Sequence, residues 1–235
     1  MSDDFVETNI IIGYTVDWDR QSAVVQRYVD TRAKSAKLHT CSRVLDEAED
    51  VINARRRLAK QAARLVFQEF DTQSRHPPVS QVVNFVRDRL RHKRAAAVDH
   101  VIQHIEDHEY YYTGLARTDS SNALTNTVSD IDSDFGDAIA VVRAIRKESC
   151  FELDCTVFVD GLNDYSQYGV FSEVDRILSG SPNDRDILMD SYHLTREDGI
   201  ECLHFITMDG DLLENESRLE TLLDPIDIES PDSIS

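Results

Sequence analysis

The sequence has 235 residues, enough to bury a substantial core, and carries 44 acidic against 25 basic side chains, for a net charge of −19. Only five of the 25 bases are lysines, and an acid excess with arginine in place of lysine is typical of proteins from a molar-salt cytoplasm. Four cysteines without a Cys-x-x-Cys pair argue against a zinc-ribbon ligand set and a disulfide framework, and no apolar run is long enough to span a bilayer. The acidic start, Met1-Ser2-Asp3-Asp4, differs from the basic start of a secretory signal, so we predict a halophilic cytoplasmic protein with no membrane contact.

The first predicted element is a short strand that ends at an acid. Phe5 and Val6 are apolar, Glu7-Thr8-Asn9 are polar, and Ile10-Ile11-Ile12 begins a second apolar segment. This pattern predicts a strand followed by a turn into a helix, with the carboxylate of Glu7 at the carboxyl end of the strand. An amphipathic helix is predicted next, over residues 19–32.

A further helix is predicted to begin near Thr40 or Ser42 and to run through Ile52. Glu47 lies beside the apolar stripe of this helix, where its side chain can point toward the ends of the strands. The alternative is that Glu47 is one more solvated acid on a highly acidic surface.

The charge reverses sign between Asn53 and Arg94, where eleven bases and three acids give a net charge of +8. We assign residues 53–150 to a helical insertion within a single domain of residues 1–235. Helical spacing arranges six of its bases in two ridges suited to phosphate contacts, which are Arg57, Lys60 and Arg64, and Arg87, Arg91 and Arg94. The alternative is that these bases pair with acidic neighbours in the same molecule.

Three histidines, His100, His104 and His108, recur every four residues and share one stripe of a predicted helix. Two histidines at that spacing can chelate zinc, but we interpret the stripe as partly buried or surface histidines of an ordinary amphipathic helix. We assign the adjacent Tyr110-Tyr111-Tyr112 to packing. Residues 118–133 are rich in Ser, Thr, Asn and Asp and predict a loop, and a helix is predicted near residues 137–147.

The last third of the chain predicts alternating strands and helices. The expected elements are a strand over 153–159, helices over 165–178 and from Pro182, a buried strand over 202–206, a helix over 212–223, an edge strand over 226–228 and a disordered tail at 230–235. Ser181 is the predicted N-cap of the helix at Pro182, and Asp184 lies in its first turn. The strand at 202–206 breaks at Thr207-Met208-Asp209-Gly210-Asp211, which puts two carboxylates at its carboxyl end.

Four of these features, taken in order, resemble the PIN domain family. Glu7-Thr8-Asn9 matches the Asp-Thr-Asn of the family, with glutamate in place of the usual aspartate, and Glu47 matches a glutamate on an early helix. Asp184 matches an aspartate that opens a late helix, and Thr207-Met208-Asp209 matches a Thr-x-Asp after the following strand. The resemblance implies an α/β fold of three layers, with a central, mainly parallel sheet between helices, to which the helical insertion is added.

The same resemblance implies a metal-dependent endoribonuclease that uses Mg²⁺ or Mn²⁺. Hard divalent cations prefer carboxylate oxygens, and one or two of them can activate water and stabilise charge on a phosphoryl group. The implied roles are catalysis by Glu7, Glu47, Asp184 and Asp209, metal binding by Glu7, Asp184, Asp209 and Asp211, and orientation of ligands or phosphate by Asn9 and Thr207. The implied partners are RNA, a protein of the antitoxin type or another protein, and a second copy of the chain.

Two other interpretations stay open. The first is a nucleic-acid-binding or scaffold protein that keeps this fold but is catalytically silent, for which the glutamate at position 7 is the main argument. The second is an interaction protein whose basic insertion docks an acidic partner.

Overall fold

The computed structural model describes residues 3–33, 37–70, 77–116, 120–147, 155–158, 162 and 164–233. The chain forms two compact units. The sheet unit comprises Met1–Thr15, Gln21–Glu49 and Val141–Ser235, and the helical unit comprises Val16–Arg20 and Asp50–Ala140. All described strands belong to the sheet unit, whereas the regular secondary structure described in the helical unit is entirely helical.

The sheet unit is built on five parallel strands in the spatial order β3-β2-β1-β4-β5. Their bounds are β1 Asp3–Val6, β2 Lys37–Cys41, β3 Cys155–Phe158, β4 Leu203–Ile206 and β5 Ile226–Glu229. The chain adds β2 and β3 on one side of β1 and then returns to add β4 and β5 on the other side. The strand order therefore reverses between β1 and β4, and in open parallel sheets ligands bind outside the carboxyl ends of the strands at such a reversal.

Both faces of the central strand are covered. Asp4 and Phe5 are each 0% exposed, although successive side chains of a strand point to opposite faces. On one face Asp4 accepts a hydrogen bond of 2.9 Å from the Tyr28 hydroxyl and pairs with Arg32. On the other face Phe5 stacks on Phe205, with 5.4 Å between ring centroids. The predicted α/β class is confirmed.

Eleven α-helices occur among the described residues. Their bounds are α1 Thr8–Thr15, α2 Ser22–Tyr28, α3 Ser42–Phe70, α4 Val79–Leu90, α5 Ala95–Asp107, α6 Glu109–Leu115, α7 Ser121–Arg146, α8 Phe171–Ile177, α9 Pro182–Asp198, α10 Gly210–Glu214 and α11 Glu216–Leu222. A π-helix, Val29–Ala33, continues α2, and a 3-10 helix, Pro231–Ser233, follows β5. None of these helices combines the length and the apolar character that crossing a bilayer requires.

The prediction of a loop at residues 118–133 is wrong, because helix α7 begins at Ser121. Residues 118 and 119 lie outside the described part of the chain. Thr127, Ile131 and Phe135 are buried at intervals of four residues, and this stripe continues along the helix. Packing of one helical face thus outweighs the weak helix propensity of the intervening Ser, Thr, Asn and Asp residues.

Other boundaries also differ from the sequence-based expectations. Strand β2 was not predicted, because Lys37–Cys41 carries only a short, interrupted apolar run. Helix α8 occupies only the second half of the predicted 165–178 segment, and the predicted helix at 212–223 is divided into α10 and α11. In the predicted tail, Pro231 is buried and begins the 3-10 helix, and residues 234–235 are outside the described ranges.

Two glycines within helices allow a matched test of how tightly each helix packs against its neighbours. A Cβ atom on Gly13 would lie 2.7 Å from Cγ2 and 3.3 Å from Cβ of the buried Val25, whereas a Cβ atom on Gly136 meets nothing within 4 Å. We expect Gly13→Ala to lower the free energy of unfolding by about 1–2 kcal/mol, because overpacking outweighs the gain in helix propensity. Gly136→Ala should raise it by about 0.5–1 kcal/mol. Urea denaturation measures both, and shifts of the same sign would contradict this account.

Candidate metal centre at the carboxyl edge of the sheet

The four acids predicted to be catalytic are brought together in the sheet unit. Glu7 directly follows β1, Asp209 lies three residues after β4, Asp184 is in the first turn of α9, and Glu47 is in the second turn of α3. Their charges act on one another, since Asp209 and Asp184 both act on Glu7, and Glu47 and Asp211 act on Asp184. The cluster therefore lies at the carboxyl ends of β1 and β4, where the strand order reverses.

Glu7 is held by groups from α1 and from the segment that follows β4. Its side chain is buried, its Oε2 atom accepts a hydrogen bond of 3.0 Å from the backbone N–H of Asn9, and its Oε1 atom accepts bonds of 3.3 Å from the Thr207 hydroxyl and the Met208 N–H. The glutamate side chain thus reaches from the end of β1 to the end of β4. The Thr207 oxygen also accepts a 2.9 Å bond from the N–H of Asp209, so it links the two acids.

Asp209 is the N-cap of α10. Its Oδ1 atom accepts hydrogen bonds from the N–H groups of Asp211, at 2.9 Å, and Leu212, at 3.2 Å. Both bonds use the same carboxylate oxygen. The cap therefore fixes the orientation of the side chain while Oδ2 can still serve as a metal ligand.

Two hydroxyl groups orient the remaining acids. The Thr8 hydroxyl donates a 2.6 Å hydrogen bond to Oε2 of Glu47, and the Ser181 hydroxyl donates a 3.2 Å bond to Oδ2 of Asp211. Ser181 is the N-cap residue of α9, as predicted, although its side chain makes no capping bond to the described N–H groups of the helix. Thr8 is the middle residue of the Glu7-Thr8-Asn9 match, but no role was predicted for it from the sequence.

Crowding of carboxylates changes their proton affinity. Burial, together with the charges of Asp209 and Asp184, raises the pKa of Glu7 from 4.5 to about 7, against the opposing effect of two backbone N–H groups. Burial and the charge of Asp209, with smaller contributions from Glu47 and Asp211, raise the pKa of Asp184 from 3.8 to about 6. Raised carboxyl pKa values mean that this site favours a bound proton or a cation.

The donor set at the sheet edge consists of oxygens, which fits Mg²⁺ or Mn²⁺. Its carboxylates are less closely grouped than two other sets among the described residues, each of which brings three ligand atoms within 4.8 Å of one another. Those sets are His104, His108 and Asp134, and Cys202, His204 and Asp227.

The six bases predicted to contact nucleic acid have different surroundings within the helical unit. Three form ion pairs, which are Lys60 with Asp132 at 2.9 Å, Arg87 with Asp99 at 3.7 Å and Arg91 with Asp88 at 3.6 Å. Arg64 is exposed, and Arg57 and Arg94 line a groove together with Lys93. Among the residues that the structure describes, pairing within the molecule, the alternative interpretation of these bases, thus applies to three of the six.

The predicted histidine stripe is divided between two environments. His100 lies 3.5 Å from Asp19 and 2.7 Å from Arg55, whereas His104 and His108 both face Asp134. Burial, with a smaller contribution from the charge of His108, lowers the pKa of His104 to about 3, so its ring is neutral at physiological pH. The stripe therefore supplies two imidazoles, rather than three, to a common position.

Comparisons with protein-family models, with curated proteins and with solved structures find no match to this chain.

Proposed function

We propose that this protein is a PIN-type endoribonuclease that cleaves RNA phosphodiester bonds at a carboxylate-bound Mg²⁺ or Mn²⁺ site. The observation that carries the proposal is the convergence of Glu7, Glu47, Asp184 and Asp209 at the carboxyl ends of β1 and β4. These residues are distant in sequence, and they meet at the edge of a parallel sheet where ligands usually bind.

Each acid has a defined part in this proposal. Oδ2 of Asp209 and the carboxylates of Glu7, Asp184 and Asp211 bind the ion, and Glu47 holds ligand water. When bound, Mg²⁺ or Mn²⁺ activates a water molecule and neutralises charge that develops on the phosphoryl oxygens. Thr207 and Asn9 keep the Glu7 carboxylate oriented through the hydrogen bonds that they donate to it.

A second candidate function is a PIN-like nucleic-acid-binding scaffold that has lost cleavage. The observation that favours it is that both oxygens of Glu7 already accept hydrogen bonds from the protein. Each carboxylate oxygen has two lone pairs; Oε1 accepts two bonds and Oε2 only one, so Oε2 keeps capacity for a metal ion. Cleavage of RNA that depends on a divalent metal ion therefore distinguishes the nuclease from the silent scaffold.

For RNA we propose contacts with the groove of the helical unit that Arg57, Lys93 and Arg94 line. Guanidinium and ammonium groups bind phosphate, but this attraction weakens steeply as salt concentration rises. A protein that works in molar salt would need further contacts. The antitoxin-type partner and the homodimer rest on the family resemblance alone.

The experiment that tests the function is cleavage of a labelled RNA of mixed sequence in molar KCl. We expect internal cleavage with Mn²⁺ or Mg²⁺ and none after addition of EDTA. RNA retention without cleavage, combined with stabilisation by Mn²⁺, would favour the silent scaffold. The absence of cleavage, of RNA retention and of any effect of metal on the melting temperature would overturn both functions.

A further inference from the structure

A second group of ligand atoms lies in the helical unit, where the end of α5 packs against α7. Nε2 of His104 is 3.5 Å from Oδ2 of Asp134, and Nε2 of His108 is 3.7 Å from the same oxygen. The two imidazole rings are stacked, with 4.4 Å between centroids and 18° between planes. The three potential ligand atoms lie within 4.8 Å of one another, and since an imidazole binds a metal in its ring plane, the stacked His108 ring must turn for both nitrogens to reach one ion.

Two of these atoms are buried and unsatisfied. Nε2 of His104 and Oδ2 of Asp134 make no hydrogen bond with any residue that the structure describes, and the His104 side chain is 0% exposed. Buried polar atoms are nearly always paired, so an unpaired nitrogen and an unpaired oxygen that lie 3.5 Å apart need an explanation. A cation between them would satisfy both.

The hydrogen bonds of His108 indicate which of its nitrogens is the ligand. Its Nδ1 atom lies 3.2 Å from the backbone oxygen of His104 and 3.6 Å from a carboxylate oxygen of Asp107. Both neighbours are acceptors, so Nδ1 carries the proton, and in the neutral ring Nε2 presents a lone pair toward Asp134. Two acceptors that face each other across 3.7 Å leave room for a positive ion.

His104 has a partner that supports the same arrangement. Its Nδ1 atom lies 2.9 Å from the hydroxyl oxygen of the buried Tyr112. When Nδ1–H donates to this oxygen, Nε2 is the metal-binding nitrogen, and a partner behind a ligating histidine is the usual means of orienting the ring. Trp18 and Phe135 pack against the His104 ring and restrict its movement.

The spacing and the chemistry of the atoms indicate the class of ion. Bonds of about 2.0–2.1 Å in a tetrahedral site place ligand atoms about 3.3 Å apart. The distances of 3.5 and 3.7 Å are close to this value. Two imidazole nitrogens and one carboxylate oxygen suit zinc and neighbouring transition metals better than magnesium.

We propose that His104, His108 and Asp134 bind one Zn²⁺ ion through Nε2, Nε2 and Oδ2, with water as the fourth ligand, and that this ion holds α5 against α7. The site is distinct from the carboxylate site in its ligands, its preferred metal and its role. Loss of the zinc site lowers the stability of the helical unit because the metal binds only the folded arrangement.

The fluorescence of a tryptophan beside this site can be used to measure metal binding. Trp18 is the single tryptophan, and its ring centroid lies 5.3 Å from the centroids of both His104 and His108. Paramagnetic Co²⁺ bound between these histidines should therefore quench the fluorescence of Trp18. Zn²⁺ added first should prevent the quenching, because Zn²⁺ binds such a site more tightly than Co²⁺.

The test uses the full chain, stripped of metal with EDTA, in molar KCl with millimolar Mg²⁺ to mask the surface carboxylates. We expect quenching that saturates at one equivalent of Co²⁺, together with the strong visible absorption of four-coordinate Co²⁺. His108→Gln and Asp134→Asn should each weaken Co²⁺ binding by about 100-fold or more, since even partners behind a ligand are worth about 10–100-fold.

Two variants serve as controls. His92→Gln removes an exposed histidine of the helical unit, and Asp209→Asn alters the carboxylate site, so both should keep the Co²⁺ affinity of the native protein. Circular dichroism establishes that each variant is folded. Unsaturated quenching, weak six-coordinate absorption in the native protein, or unchanged affinity in His108→Gln and Asp134→Asn would each overturn the proposal.

Discussion

Asp209→Asn is expected to reduce Mn²⁺-dependent RNA cleavage by on the order of 10²–10³-fold. The amide keeps Oδ1, so the cap of α10 on Asp211 and Leu212 stays in place, while the charge that the metal requires is lost. Charge stabilisation by a bound ion is worth several kcal/mol in the transition state, and about 3–4 kcal/mol corresponds to this factor. The measurement is the initial rate of cleavage of labelled RNA in molar KCl.

Asp198→Asn is the matched control for Asp209→Asn. Asp198 is an exposed acid in the last turn of α9, at the opposite end of the helix whose first turn carries Asp184. Its substitution should leave the cleavage rate within about two-fold of the native protein, because it removes one surface charge that is screened in molar salt. Equal losses in both variants would attribute the effect to general charge rather than to the site, and full activity of Asp209→Asn would refute its role as a ligand.

Glu7→Gln is expected to stabilise the metal-free protein at pH 8, by on the order of 1–3 kcal/mol. The raised pKa of Glu7, about 7 in the folded state against 4.5 for the ordinary side chain, means that the folded state binds the proton more tightly. Each unit of such a shift corresponds to about 1.4 kcal/mol. A neutral glutamine removes the cost of ionising a buried carboxyl, although it satisfies the N–H groups of Asn9 and Met208 less well than a carboxylate does.

The pH dependence has a definite sign and window. A carboxyl with a raised pKa adds stability that is fully present below its unfolded value, here 4.5, and that is lost as the pH rises to about 7. Asp184, raised from 3.8 to about 6, acts in the same direction over a lower range. Stability of the metal-free native protein attributable to these two groups should therefore fall between about pH 4 and pH 7. The Glu7→Gln variant should lose the upper part of this dependence.

Urea denaturation at pH 5 and pH 8, with EDTA or with Mn²⁺, measures these effects. We expect Mn²⁺ to raise the stability of the native protein at pH 8 and to raise that of Glu7→Gln much less. Glu214→Gln, at an exposed position of α10, is the control and should behave as the native protein does. A destabilised Glu7→Gln at pH 8, or an equal response of both variants to Mn²⁺, would contradict the electrostatic account.

Local signals in the sequence determined much of the sheet unit. The buried strand β4 follows from a continuous apolar run, and α9 from a proline at its start and a glycine, Gly199, with a φ angle of 65° at its end. These signals act within a few residues of the chain. They were enough to predict that Glu7 and Asp209 follow strands and that Asp184 opens a helix.

Only the tertiary structure decided which of these groups meet. The parallel register of β1 with β4 brings Thr207 to Glu7, 200 residues earlier in the chain, and the packing of α3 brings Glu47 to Thr8. In the helical unit, a segment with the composition of a loop became α7 because one face is buried, and that helix carries Asp134 to His104 of α5 and to His108, the residue that follows α5. Spacing along the chain predicts the face of a helix or the end of a strand, but the choice of partner depends on the core that the elements bury together.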